Sequence, residues 1–446
     1  VCCGGGLMTR AYRLSVDPSA AAFQPEIDYV FSVLERYYPL RRAGPEETDA
    51  PLLRYGAADD GADVAVPGVL FPNFVEVREA DGIFLLPGAV EHFLAADGGL
   101  LPPAPERGDS GGALSYDAIG LAFLMLSLIE ERECPAPDRY GRYPAAETFA
   151  VRAGLHGVPL ADRALEDIAR RLLHPAAASH LSTYEVVPTH DVDRLKAYHW
   201  LHEPLRYALG DALKRGHPVQ GLRRLKAYGA GQPERSFEWL MGLSERHGLI
   251  SHFYFMAPSH NSMDSTYARH WPALMRRMAE RARGRGHEVG FHPGFMSFDN
   301  ADEWQRQKAD LERIIGGQVK EGRHHVLRYA ADTTPRLWSD AGMAVDHTPS
   351  FPEVSGFRTG STRRYQAFDL YGRRALKVDQ CATAVMEFAL FGGKYRDLSV
   401  EQALAVCRPL IAECRRYGGR FVILQHTGVA APIVRTFYEH LLEEAA

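Results

Sequence analysis

The sequence predicts an α/β protein in which a β/α barrel follows a smaller α/β domain, and three observations predict it. From Thr183 onward, short apolar runs of strand length alternate with helical patterns, the order that yields parallel strands joined by crossover helices. Asp191, Asp193, His292, Arg328 and His426 all fall at or just past the C-terminal ends of those runs, where the loops of a β/α barrel converge. The chain has 446 residues, enough for two domains. A boundary in His174–Ser182 divides it into 1–180 and 181–446.

In the first domain Pro25–Tyr38 sets Ile27, Val30, Phe31, Leu34 and Tyr38 at helical spacing, and Pro39 ends it. Val64–Phe74 and Gly82–Leu86 read as strands, Ala118–Glu131 and Ala161–Leu173 as helices, and Cys134–Tyr143 as a loop. In the second domain Tyr184–Thr189, Leu249–Met256, Glu288–Phe291, His325–Tyr329 and Phe421–Leu424 read as strands. Trp271–Arg283 is helical, with Trp271, Leu274, Met275 and Met278 on one face. Asp302–Ile315 is a helix that Gly316 and Gly317 end. Thr334–Ala341 is another, with Thr334 as N-cap and Pro335 in its first turn.

Composition narrows the function classes. Hydrophobic residues make up 46% and charged residues 24%, ordinary values for a globular protein. With 51 basic against 56 acidic side chains, the overall balance gives no reason to expect nucleic acid or an anionic membrane as partner. The longest apolar run, Gly120–Ile129, is about half of the ~20 residues that a spanning helix needs. The opening VCCGGGLMTR lacks a basic segment followed by an apolar one, so no secretory signal is expected. Beyond Cys2 and Cys3, the cysteines at 134, 381, 407 and 414 form no CxxC pair, which fits a reducing, cytoplasmic location.

The chemistry concentrates in a few motifs. THDVD sets Asp191 and Asp193 two residues apart, and extended backbone would point both the same way, close enough to share a cation or divide acid and base duties. His292 ends a strand in GHEVGFHPGF, and His426 does so in LQHTG. Carboxylates and imidazoles around an open position suit zinc or another divalent ion, which brings the pKa of bound water toward neutrality. Taken singly, each residue has a bland explanation: an acid-rich turn, a packed histidine, a surface ion pair for Arg328. Their shared position at strand ends favours one site. Asp346 and Arg358 fall in loops and read as structural. His199, Trp200 and His202 could line a cleft, although solvated helix positions account for them better.

On these motifs, Thr189–His426 resembles the polysaccharide-deacetylase (NodB-homology) superfamily in motif order. THDVD resembles its first motif, GHEVGFHPG its second, LRYAADTTP its third and LQH its fifth. GRHHVLRYAADTTPRLW, AGMAVDHTPSF and GFRTGS are similar to a bacterial subgroup that carries an uncharacterised N-terminal domain, and FLMLSLIEERE with DRYGRYPA resembles that domain. The resemblance implies a distorted β/α barrel and a metal-dependent hydrolase that removes an acetyl or other acyl group from a glycan or amino sugar, in bacterial surface-polysaccharide metabolism. It implies Asp193 and His292 as ligands of zinc (or nickel or cobalt), Asp191 as general base, Arg328 as its support and His426 as acid. One departure stands out. The family's second motif has another histidine four residues after the first, and here that position is Met296. His260, Asp264 or Asp299 could supply the missing ligand. Two alternatives follow: a non-catalytic glycan-binding barrel with a degraded metal site, or a hydrolase of non-peptide C–N bonds.

Overall fold

The computed structural model describes residues 9–56, 61–78, 80–95, 99–102, 112–132, 136–173, 180–195, 202–213, 218–219, 222, 225, 232–391, 396–428 and 431–446. Cys2, Cys3, Cys134, His199, Trp200 and positions 174–179 of the expected boundary lie outside them. The fold is mixed α/β, and the chain divides into two compact units that do not follow chain order. One comprises Val1–Glu185, Leu327–Ala384 and Arg408–Phe421, and the other Val186–Val326, Val385–Cys407 and Val422–Ala446.

In the first unit, strands β1 (Arg10–Val16), β2 (Leu40–Arg42), β3 (Leu52–Tyr55) and β4 (Val64–Val66) form a parallel sheet in the order β2-β1-β3-β4. Strands β5 (Val75–Arg78) and β6 (Gly82–Leu85) pair as an antiparallel hairpin. Helix Gln24–Tyr37 buries Ile27, Val30, Phe31 and Leu34, the stripe its sequence announces. Helix Ala118–Ser127 is buried on every side, as a helix apolar all round must be.

Asp117 explains one departure from the sequence reading. Its carboxylate accepts the backbone N–H groups of Gly120 at 2.7 Å and of Val69 and Leu70 at 2.8 Å each. It therefore caps helix Ala118–Ser127 and captures the first amides of a second helical turn, Leu70–Phe74. The strand expected over Val64–Phe74 stops at Val66 for that reason. Gly120 is required beside it, because a Cβ there would collide with the Asp117 carboxylate and the Leu70 side chain. The helix expected to reach Glu131 breaks at Leu128, which is left-handed (φ 53°), and continues only as a 3-10 turn over Ile129–Glu131.

In the second unit, β7 (Glu185–Val192), β8 (His252–Met256), β9 (Glu288–His292) and β10 (Glu321–Gly322) run parallel, each paired with the next. The first unit contains β11 (Val345–Asp346), β12 (Tyr365–Asp369) and β13 (Arg374–Gln380). The second adds β14 (Val385–Met386) and β15 (Arg420–Leu424), giving the order β10-β9-β8-β7-β15-β14. Phe253, Tyr254, Phe255 and Met256 of β8 are all buried, as in a parallel strand covered on both faces. Strand β7 runs on to Val192, so Asp191 lies within the strand and Asp193 just past it.

The strand expected over His325–Tyr329 is absent. The pairing strand is β10, earlier and only two residues long, and His325–Leu327 is a 3-10 turn. The His325 amide bonds to the Pro293 carbonyl at 2.9 Å instead of continuing the ladder. Val326 and Leu327 then take left-handed φ values of 61° and 58°. Two consecutive non-glycine residues there, one of them β-branched, carry backbone strain of about 1–3 kcal/mol each. The N-cap of the next helix, Thr334–Asp340, is Thr333, one residue earlier than expected.

Arg358 is structural, as its loop position suggests. Its guanidinium bonds the Glu131 carboxylate through two nitrogens, one at 2.8 Å, and both side chains are buried. Removing one partner of a buried pair strands the other charge. Arg358→Ala is expected to lower stability by about 3–5 kcal/mol in urea denaturation, and adding Glu131→Leu to that variant should recover part of the loss.

Candidate metal centre

The parallel strands of the second unit place their polar residues at one end. Asp191 and Asp193 come from the end of β7, His292 is the last residue of β9, and His426 follows β15. His292 Nε2 lies 3.4 Å from Asp193 Oδ1 and 3.8 Å from Asp191 Oδ2. His426 Nε2 lies 3.8 Å from the other Asp193 oxygen. The two imidazoles and the two acids are thus brought to one place.

A third imidazole joins them that the sequence reading did not include. Asp193, His292 and His325 each offer one donor atom, and the three atoms lie within 4.8 Å of one another. Met296, where the resemblance led one to look for a histidine, is 51% exposed. The named substitutes do not join the group either. His260 is exposed and bonds Arg269 at 2.9 Å, Asp299 is exposed, and Asp264 stands behind His325 rather than beside the donors.

Each imidazole is fixed through Nδ1. That of His292 donates to the Arg323 carbonyl at 2.5 Å, that of His325 to Asp264 at 2.8 Å and that of His426 to Glu387 at 2.6 Å. With Nδ1 so engaged, Nε2 is the atom left facing the acids, and the carbonyl or carboxylate behind it makes the ring a better donor. Asp264 also accepts the Phe295 amide at 2.8 Å and the Ser259 hydroxyl at 2.6 Å, so one carboxylate ties His325 to the loop that follows His292.

The arginine on Asp191 is Arg323, not Arg328. Arg323 Nη1 donates to Asp191 Oδ1 at 2.8 Å and Nη2 to Thr189 Oγ1 at 2.8 Å, with the side chain fully buried. Arg328 stands against Gly141 in the first unit, where a Cβ on that glycine would come within 2.9 Å of its guanidinium. The misassignment follows from the strand error. With the strand end drawn at 329 the nearest arginine is Arg328, whereas β10 ends at Gly322 and the next residue is Arg323. The glycine closing a very short run after Gly316 and Gly317 was the available signal.

The electrostatics match the geometry. Burial works against charge on Asp193, yet the His292 imidazole beside it and the charges of His426 and His325 hold its carboxyl well below the usual range. Burial also works against charge on His426, but the Glu387 carboxylate outweighs it, with help from Asp193 and Asp191, and pushes the imidazole up to about 10. His292 is raised as well: burial opposes its charge, and Asp191 and Asp193 favour it. His190, within the same THDVD motif, is the opposite case. It is packed in the core between the Gln425 carbonyl and Ser251, and burial pushes it down to about 3.

The donor set fits a divalent cation. Asp193 Oδ1 and His292 Nε2 are buried without a hydrogen-bond partner although they face each other, and one carboxylate with two imidazoles is a frequent zinc set that leaves a position for water or substrate. A cleft of about 370 Å³, lined by Asp193, Arg194, Met256, Met263, Asp264 and His325, opens onto the donors. That is room for a small ligand or one unit of a larger one.

Residues 19–175 match a family of unknown function, DUF7033. No curated protein matches the chain. Among solved structures, a protein described as a polysaccharide deacetylase from Mycobacterium smegmatis is 18% identical over 59% of this chain and 84% of its own, with a TM-score of 0.39. One described as a polysaccharide deacetylase involved in O-antigen biosynthesis, from Bordetella bronchiseptica, is 11% identical over 58% and 90%, with a TM-score of 0.27. The catalytic domain of a peptidoglycan N-acetylglucosamine deacetylase from Eubacterium rectale is 14% identical over 58% and 84%, also at 0.27. Overlaps this loose leave the chemistry to the site's own residues. No described helix is long and apolar enough to cross a membrane.

The Glu387 contact has a measurable consequence. In metal-free protein the His426 imidazole is expected to titrate near 10, followed by NMR. In Glu387→Gln, which removes the charge that raises it, the midpoint should move to lower pH.

Proposed function

We propose that the chain is a metal-dependent hydrolase that removes an acetyl group from a glycan or amino sugar, with Asp193, His292 and His325 as metal ligands. The observation that carries this is the convergence of those three donors, flanked on one side by Asp191 held on Arg323 and on the other by His426 held on Glu387. Zinc suits the set best, with nickel or cobalt as substitutes. When bound, the cation supplies positive charge that makes water more acidic and draws electrons from the acyl carbonyl.

The protein's own groups would perform the remaining work. Asp191, oriented by Arg323 and Thr189, accepts a proton from the attacking water as general base. His426, oriented through Nδ1 by Glu387, donates a proton to the departing amine nitrogen. Both side chains are largely buried, which keeps bulk water away from the reacting atoms. The resemblance of the motifs supports a distorted β/α barrel for the second domain and bacterial surface polysaccharide as the setting. The expected boundary near residue 180 sits just past the segment matched at 19–175. Met296 favours a non-catalytic glycan-binding barrel; His325 as third ligand would supply the donor that position lacks.

Asp191→Asn should reduce deacetylation of N-acetylated oligosaccharides by about 10²–10⁴-fold while the circular-dichroism spectrum stays unchanged. Full activity in that variant would remove Asp191 from the mechanism. Zinc analysis separates the ligands. His325→Ala is expected to lose stoichiometric zinc and Met296→Ala to keep it; zinc retained by His325→Ala would return the third ligand to an unidentified residue.

A further inference from the structure

The first unit holds a cavity of about 450 Å³ whose wall includes Arg36, Arg363, Arg364 and Arg420. Its one acidic lining residue is Glu185, and Tyr37 and Leu181 add apolar surface. All its lining residues belong to the first unit, and none of them is among the donors of the metal centre. It has no part in the reaction described above.

The charges around it are unequal. Arg36 and Arg364 share a single carboxylate, that of Asp379, at 2.8 and 3.2 Å. Arg420 pairs with Glu185 at 2.7 Å, and that carboxylate is 48% exposed. Arg363 has no carboxylate in direct contact among the described residues. Its Nε donates to the Tyr417 carbonyl at 2.9 Å, its ring neighbours are Tyr37, Tyr38 and Tyr417, and its Nη1 is buried with no hydrogen-bond partner. Asp162, whose field reaches Arg363, is itself occupied by Ser361 and Thr362. Counting Asp379 and Asp162 behind the wall, four guanidiniums face three carboxylates. An ion-pair cluster built only for stability would match its charges. Guanidinium forks left with spare donors are suited to the oxygens of a phosphate or carboxylate.

We infer that this arginine-lined cavity is a binding site for a small ligand bearing an oxyanion, separate from the metal centre. The side chains of Arg36, Arg364 and Arg420 are 39%, 29% and 30% exposed, open enough to meet a ligand; Asp379 behind the wall holds the first two, and Glu185 within the wall holds the third. Preorganised donors of this kind bind without first having to be ordered. Tyr37 and Leu181 give the uncharged part of such a ligand a surface to lie on.

Titration calorimetry on the full chain, with inorganic phosphate, glucuronate and glucose as probes, tests this. Phosphate or glucuronate should bind while glucose does not. Loss of one charged contact in Arg420→Gln should weaken binding by about tenfold or more. Arg364→Lys, which keeps the charge but not the fork, should weaken it less. Zinc content and circular dichroism check that both variants fold and keep the metal centre. Three results would overturn the proposal: no heat from either anion at millimolar concentration, equal binding in both variants and the parent, or the same effect from chloride at matched ionic strength. Phosphate bound without glucuronate, or the reverse, identifies which oxyanion geometry the site prefers.

Discussion

Three imidazoles anchored through Nδ1 define what the candidate centre can do. An imidazole free to turn presents either nitrogen; one pinned from behind presents Nε2 in a fixed direction. Arg323 ties two of the parts together, since its carbonyl holds His292 and its guanidinium holds Asp191. His292 and Asp191 are thereby both held by one buried residue. Asp264 plays a comparable part for His325 and the loop after His292.

The sequence showed much of this. Helix Gln24–Tyr37 was visible, as Pro25–Tyr38, from an apolar stripe ended by proline, and helix Ala301–Ile315, as Asp302–Ile315, from the glycines that end it. The strands carrying Asp191, His292 and His426 were readable because buried parallel strands are apolar nearly throughout, so a polar residue at the end of one stands out. The errors came where a long-range partner decided the local structure. Val69 and Leu70 turn into a helix because Asp117, far along the chain, takes their amides. HHVL looks like strand by composition, yet the His325 amide is claimed by Pro293 and the chain turns left-handed. No pattern within either segment reports those partners. His325 and Arg323 were missed by that single error, since both lie where a strand was drawn too late.

The first unit combines a large apolar core with buried polar groups. Asp117 joins two helix starts and the Tyr55 hydroxyl, Asp162 gathers Ser361 and Thr362, and Glu131 pairs with Arg358. The last two contacts connect the N-terminal stretch with segment 327–384 of the same unit. Such contacts are specific in a way that hydrophobic burial is not, because a carboxylate in a dry interior tolerates few alternative neighbours. Together with Tyr329, Tyr365, Phe368 and Leu370 in the apolar core, they join stretches far apart in the chain.

The origin of the third imidazole frees another part of the molecule. Were both histidines of the centre supplied by one loop, a change in that loop's length would displace a donor. Here His292 ends a strand, His325 comes from a separate turn, and positions 296–300 between them contribute no donor atom. That stretch can change in sequence without removing any of the three donor atoms.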